Sequence, residues 1–255
     1  MTGTILITGA TSGIGMEFAR RYASEGCRLI LAGRRVERLE KFRQEMGERC
    51  RVIAADLSEE GQCRALLKDV ADEKIDLFIN NAGFGTAGSF LETDLGKEIT
   101  MIRVNDLAMH ILFKEILKKM ERQGSGTILN VASSAGLLPG GPYMAAYYAS
   151  KAYVTSLTRA VAEELRQKGS KVYVCALCPG PVNTEFNEHA DVVFALKGIS
   201  AERCVSECVS GMKRRQTIIV PTLLMKAAVF FHHFVPTPLL VRMVAGQQKK
   251  KISAK

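Results

Sequence analysis

Short, nearly continuous apolar runs rich in β-branched residues recur along the chain. Residues 4–8, 28–32, 51–55, 76–79, 127–131 and 171–177 form six of them. Runs of this kind mark strands buried on both faces of a parallel sheet. Between them, apolar positions return every three or four residues, as on a helix with one buried face. This pattern predicts helices at about 16–24, from Ser58 to about residue 73, at 94–122, and from Tyr147 to about residue 167. A further helix at 201–215 precedes a short last strand at 217–220. Strand and helix alternate throughout, so the expected fold is α/β: one doubly wound domain, mostly seven parallel strands with helices on both faces. Residues 1–221 carry that domain, and residues 222–255 form an apolar and basic extension of it. Residues 185–200 follow no clear period and suit a lid over a substrate.

Composition narrows the class. The chain has 255 residues, 47% apolar and 24% charged, as in a soluble globular domain long enough to bury a full core. The net charge of +9 is unevenly placed. Residues 208–255 hold nine Lys or Arg and no acid, leaving 35 − 9 = 26 bases against 26 acids in residues 1–207. A neutral body with a basic tail points to a local anionic contact and away from a nucleic-acid-binding fold. Seven cysteines are present, and the closest pair, Cys175 and Cys178, falls in and just after an apparent central strand. Free thiols in a reducing cytoplasm are expected, with no metal site. No charged region precedes an apolar segment at the start, so no secretion signal is expected.

The tail carries an apolar stretch from 223 to 235, interrupted by Lys226, His232 and His233 and followed by Pro236 and Pro238. It falls short of the roughly 20 residues that a spanning helix needs. Two readings stay open. The favoured one is an amphipathic segment that covers the substrate pocket or builds a dimer contact. The other is a peripheral contact with an anionic membrane surface.

The chemistry-bearing residues sit at strand ends. Gly9, Gly13 and Gly15, with Thr11, Ser12 and Ile14 between them, fill the turn between the first strand and first helix. Such a turn lets backbone amides approach a pyrophosphate at a helix N-terminus, although the spacing differs from G-x-G-x-x-G. Arg34 and Arg35 end the second strand where an acid would bind a ribose 2′-hydroxyl; arginines there favour a 2′-phosphate, hence NADP(H). Asp56 and Leu57 end the third strand and suit an adenine edge. Asn80, Asn81, Ala82 and Gly83 end the fourth. Asn105 lies inside a predicted helix, which asks for a reason, either a water held behind the catalytic group or a solvated face. Tyr147 and Lys151 share one helix face, with Cβ atoms roughly 5–6 Å apart. An ammonium there is expected to bring the phenol below its ordinary pKa of about 10. Ser134, at the end of the fifth strand, completes a site for a carbonyl oxygen.

Taken together, these motifs resemble the short-chain dehydrogenase/reductases over roughly residues 4–221. The resemblance rests on Thr8-Gly9-x-x-x-Gly13-Ile14-Gly15, Asp56-Leu57, Asn80-Asn81-Ala82-Gly83, Asn105, Ser134, Tyr147-x-x-x-Lys151, and Pro179-Gly180 with Thr184. It implies a Rossmann-type domain and a tetrad. Tyr147 would be the acid/base, Lys151 would lower its pKa and bind the nicotinamide ribose, Ser134 would hold the substrate oxygen, and Asn105 would support a proton relay. Ser134 is preferred to Ser133 because it stands 13 residues before Tyr147, the usual family spacing. Tyr147 is preferred to Tyr148 because it alone has a lysine four residues on. Val182 and Thr184 would contact the nicotinamide carboxamide.

The implied reaction is reversible hydride transfer between NADP(H) and a carbonyl/alcohol pair, and either reading of the tail suits an apolar substrate such as a steroid or fatty ketone. A homodimer or homotetramer is implied as well, and the expected location is the cytoplasm, peripheral at a membrane if the tail makes that contact. A 3-oxoacyl thioester reductase, its basic tail recognising an acidic carrier, is the alternative. A non-catalytic protein that senses NADP(H) or associates with a membrane is the rival from another class.

Overall fold

The computed structural model describes residues 3–185 and 198–253. Its centre is a seven-stranded sheet built from β1 (Thr4–Thr8), β2 (Arg28–Gly33), β3 (Cys50–Ala54), β4 (Leu77–Asn80), β5 (Gly126–Val131), β6 (Val172–Leu177) and β9 (Ile218–Ile219). The order is β3-β2-β1-β4-β5-β6-β9, and every neighbouring pair is parallel. The winding reverses between β1 and β4, and ligands of open α/β sheets bind outside the strand ends at such a point. A separate two-stranded pair, β7 (Val182–Asn183) with β8 (Ile199–Ser200), flanks the cleft. Most of the segment expected to act as a lid, residues 186–197, lies outside the described residues.

Helices α1 (Gly13–Ser24), α2 (Val36–Met46) and α7 (Ala201–Lys213) cover one face of the sheet. Phe18, Tyr22, Leu39 and Cys208 pack there against Ile5, Leu29 and Leu31. The other face is covered by α3 (Glu60–Asp69), α5 (Met109–Gln123) and α6 (Ala145–Gln167), with Leu66, Leu112, Phe113 and Val154 set against Leu6, Phe78 and Ile128. Strands apolar on both sides are what two helical layers require. Each such side chain contributes about 1.5–3 kcal/mol on burial. All seven cysteines are buried.

The long helix expected at 94–122 is present with one departure. Asp94 caps α4 (Leu95–Ile102) by accepting from the Lys97 amide. The chain then widens into a π-helical turn at Arg103–Ala108 before α5 resumes. Such π turns are rare and cluster at functional sites. This one contains Asn105.

The tail folds as α8 (Leu223–Phe231), a 3₁₀ turn (His232–Phe234) and α9 (Thr237–Ser253). α9 buries Leu240 and Val244, and Val244 packs into a small cluster with Met101, Met144, Tyr147 and Tyr148. Gln248 donates from Nε2 to the Tyr148 hydroxyl at 2.5 Å. The inner face of α9 therefore lies over the region beside Tyr147. Among the described residues, no helix is long and apolar enough to cross a membrane.

Candidate active site

The turn after β1 is held by its neighbour in the sheet. Thr8 Oγ1 accepts from the amides of Asn81 and Ala82 at 3.0 and 3.2 Å. Asn81 returns its side-chain amide to the carbonyls of Thr8 and Gly9 at 3.0 and 3.1 Å. Gly9 has a φ of +65°, and a Cβ on Gly15 would stand 2.4 Å from the Gly9 carbonyl oxygen. Gly15 thus lets α1 press against the loop; it is the one predicted cofactor residue that does not line the cleft. Ser12 sits at the N-cap of α1 without capping it. Its hydroxyl instead accepts from Arg35 at 2.8 Å, and Thr11 Oγ1 accepts from the same guanidinium at 3.0 Å. The N-terminal amides of α1 therefore face the cleft without a side-chain cap, as an anion requires.

The cleft has a volume of about 570 Å³. Gly9, Thr11, Ser12, Gly13, Ile14, Arg34, Arg35, Asp56, Leu57, Asn81, Ala82 and Gly83 line one part of it. Tyr147, Lys151, Pro179, Gly180, Val182 and Thr184 line another. Arg34 stands 4.0 Å from Asp56, and Arg35 also donates to Glu185 at 2.9 Å. Hydrogen bonds from Arg35 and Arg38 hold the Glu185 carboxyl below its ordinary pKa. Phe84, Lys97, Val104 and Ser133 also line the cleft. Only Phe84 and Ser133 adjoin motifs that could have flagged them.

The serine brought to the phenol is Ser133, which corrects the choice of Ser134. Ser133 still has extended backbone, with φ −168° and ψ 159°, and its hydroxyl is hydrogen-bonded to that of Tyr147. Ser134 begins the 3₁₀ turn Ser134–Leu137, does not line the cleft, and donates its amide to the Pro179 carbonyl at 2.8 Å. A Cβ on Gly136 would lie 2.2 Å from the Lys151 carbonyl oxygen, so the turn packs directly on α6. Counting residues back from Tyr147 cannot see where the strand ends and the turn begins.

The expected lowering of the phenol by Lys151 is a second correction. Burial pushes Tyr147 up to about 12, with the Ser133 hydrogen bond pulling the other way. The Lys151 ammonium stands 5.9 Å from the Tyr147 ring centroid and donates to the Val131 carbonyl at 3.0 Å. Burial brings Lys151 itself down to about 8, opposed by the nearby carboxylate of Asp106. Burial likewise raises Asp106 to about 6.

Asn105 does not face solvent. Its Oδ1 accepts from the Phe84 amide at 3.1 Å, while Nδ2 donates to the Phe84 carbonyl at 2.9 Å and to Ser150 Oγ at 3.1 Å. It fastens the loop after β4 to α6, directly behind Lys151, and does not itself line the cleft. A buried phenol hydrogen-bonded to a half-buried serine hydroxyl, beside an ammonium and open to the cleft, can exchange a proton with an oxygen placed against it.

The profile of the short chain dehydrogenases matches residues 3–192. The chain belongs to the short-chain dehydrogenase family. This short-chain dehydrogenase is 34% identical to the oxidoreductase UcpA of Escherichia coli K12 over 194 residues, covering 74% of this chain and 73% of UcpA. A short-chain dehydrogenase from Sphingobium yanoikuyae in complex with NADPH superposes with a TM-score of 0.80 at 29% identity, over 92% of this chain and 96% of its own. One from Burkholderia phymatum in complex with NAD gives 0.82 at 26% identity, over 91% and 93%. The short-chain dehydrogenase described here is thus an oxidoreductase of the nicotinamide-dependent type. Its tail, α8 and α9, lies beyond the profile match.

Proposed function

We propose that this short-chain dehydrogenase is an NADP(H)-dependent reductase of apolar ketones, such as a steroid or a fatty ketone. The observation that carries the reading is Tyr147, buried on the cleft, hydrogen-bonded to Ser133 and next to Lys151. Bound NADPH would supply the hydride. Gly9, Gly13 and the N-terminus of α1 would hold its pyrophosphate, and Arg34 and Arg35 its 2′-phosphate. Arg35 already rests on two hydroxyls of the glycine turn, close to where that phosphate would lie. The Sphingobium relative's complex with NADPH supports this cofactor, whereas the Burkholderia relative took NAD.

Ser133 would orient the substrate oxygen and Tyr147 would give it a proton. Lys151 would hold the nicotinamide ribose and favour the phenolate once the proton has left. Asn105 would keep the wall behind Lys151 in place. Phe84 and Val104, which line the cleft, would give the substrate side an apolar character. Ile99, Ile102 and Leu107 are exposed along α4 and the π turn, and suit contact between copies in a homodimer or homotetramer. Seven buried cysteines with no metal-ligand spacing suit a reducing cytoplasm.

The test is a panel of steroid, acyl and small ketones with NADPH, followed by loss of NADPH absorbance. Tyr147→Phe is expected to abolish turnover and leave NADPH binding intact. Unchanged turnover in that variant would refute the reading.

A further inference from the structure

The helix α8 is tied to the body on one side only, by Met225 and Val229, and buries none of its nine residues fully. Leu223 is 83% exposed and Leu224 72%. Phe230, Phe231 and Phe234 form a cluster, with centroids 5.4 Å apart for Phe230 and Phe231 and 5.5 Å for Phe230 and Phe234. All three rings are more than half exposed. Leu239 and Met243 extend the same apolar character onto the outward side of α9. Patches of large side chains this exposed mark a surface that meets something else.

Charge says what that is. Lys226 on α8 and Arg242 and Lys249 on α9 are exposed, and no acid follows Glu207 in the chain. Glu207 accepts from the Thr222 amide at 2.7 Å and from Arg203 at 3.1 Å, and the Lys226 charge also acts on it, so one carboxylate stands against several cations. A second copy docked by twofold symmetry on this face would set Lys226 and Arg242 against their own kind. An anionic lipid surface offers hydrocarbon for the rings and phosphate for the cations at once. No described helix is long and apolar enough to cross the bilayer, so the segment would lie along it.

We propose that α8, the 3₁₀ turn and the outer side of α9 form a docking surface for an anionic membrane. The patch is next to the cleft: a Cβ on Gly180, which lines it, would fall 2.9 Å from Met225 Sδ. Membrane docking would therefore set the opening for an apolar substrate close to where such a molecule dissolves. That last step rests on the proposed reaction; the docking itself does not.

The experiment is flotation of the full chain with vesicles of phosphatidylcholine alone, or of phosphatidylcholine with about a third phosphatidylglycerol. Partitioning onto the anionic vesicles is expected to be at least about tenfold stronger, and to weaken with salt. Phe230→Ser/Phe231→Ser/Phe234→Ser should lower it at least about tenfold, with circular dichroism and melting unchanged because those rings are exposed. Lys226→Glu/Arg242→Glu should abolish the preference for anionic lipid. No binding to either vesicle would overturn the proposal, as would equal binding by the triple-serine variant. A dimer in sedimentation velocity that the triple-serine variant breaks, without vesicle binding, would assign the face to a second copy instead.

Discussion

The ammonium of Lys151 donates to the main-chain carbonyl of Val131, the last residue of β5, at 3.0 Å. The lysine is therefore anchored to the sheet and not to the phenol four residues before it. Its charge is buried, and the carboxylate that opposes the resulting fall in pKa belongs to Asp106, in the π turn. One oxygen of that carboxylate, Oδ1, is itself buried without a hydrogen-bond partner.

Asp106 gives a pH-dependent prediction. Its carboxyl is raised to about 6, chiefly by burial, against about 3.9 in an unfolded chain. Between those values the folded state holds the extra proton, so stability falls as pH rises from about 4 to about 6. Asp106→Asn removes this penalty. At pH 7 the variant should be more stable by roughly 1–2 kcal/mol, after allowance for the solvent that reaches the half-buried residue. The gain should shrink below pH 6 and vanish near pH 4, which thermal unfolding at the two extremes will read. Loss of the carboxylate also removes the support for charged Lys151, so any alkaline limb in kcat/KM should move to lower pH.

The two adjacent serines separate cleanly. Ser133 is hydrogen-bonded to the phenol, whereas Ser134 donates its amide to Pro179 and does not line the cleft. Ser133→Ala should lower kcat by about 100-fold to 1000-fold, the usual cost of one oxygen-orienting donor. Ser134→Ala should stay within a few-fold of the parent. Steady-state kinetics on both variants decide it, and the reverse order would restore Ser134.

Strands were readable along the chain because burial on both faces leaves almost no polar interruption in residues such as Ile5 to Ile7 or Leu29 to Leu31. The glycine turn and its arginines were readable because each depends on a residue type that few others replace. Three features were not. The π turn at Asn105 shifts the helical phase by a single residue between α4 and α5, too small a change to read from apolar spacing, so only backbone geometry reveals it. The choice between Ser133 and Ser134 depends on where β5 gives way to a 3₁₀ turn, which a count of intervening residues does not record. Lys97 reaches the cleft from α4 by tertiary packing, with no motif around it. The tail was half readable: its apolar and basic character was plain, but the contact of Gln248 with Tyr148, 100 positions apart, belongs to the fold.

That contact is testable as a pair. Gln248 Nε2 donates to the Tyr148 hydroxyl, yet Gln248 Oε1 is buried without a partner. Tyr148→Phe would leave the whole amide unpaired and should cost about 1–3 kcal/mol. Adding Gln248→Leu removes the stranded amide and should recover most of that loss. Chemical denaturation of the two single variants and the double variant gives the coupling directly. Additive losses would mean that the bond contributes nothing to holding α9 down.

The proposed preference for NADPH rests on Arg35. Its guanidinium bridges Thr11, Ser12 and Glu185, so a 2′-phosphate arriving there would take over donors now shared with a carboxylate. A charge-assisted hydrogen bond is worth about 1.5–3 kcal/mol, or roughly 10-fold to 150-fold in affinity. Arg35→Ala should therefore raise the KM for NADPH by about that factor and leave the KM for NADH nearly unchanged, since NADH has no phosphate at that position. Glu185→Gln should act in the opposite direction, because removing the competing carboxylate frees the guanidinium for the phosphate. Equal weakening of both cofactors by Arg35→Ala would mean that the arginine shapes the glycine turn and does not read the phosphate.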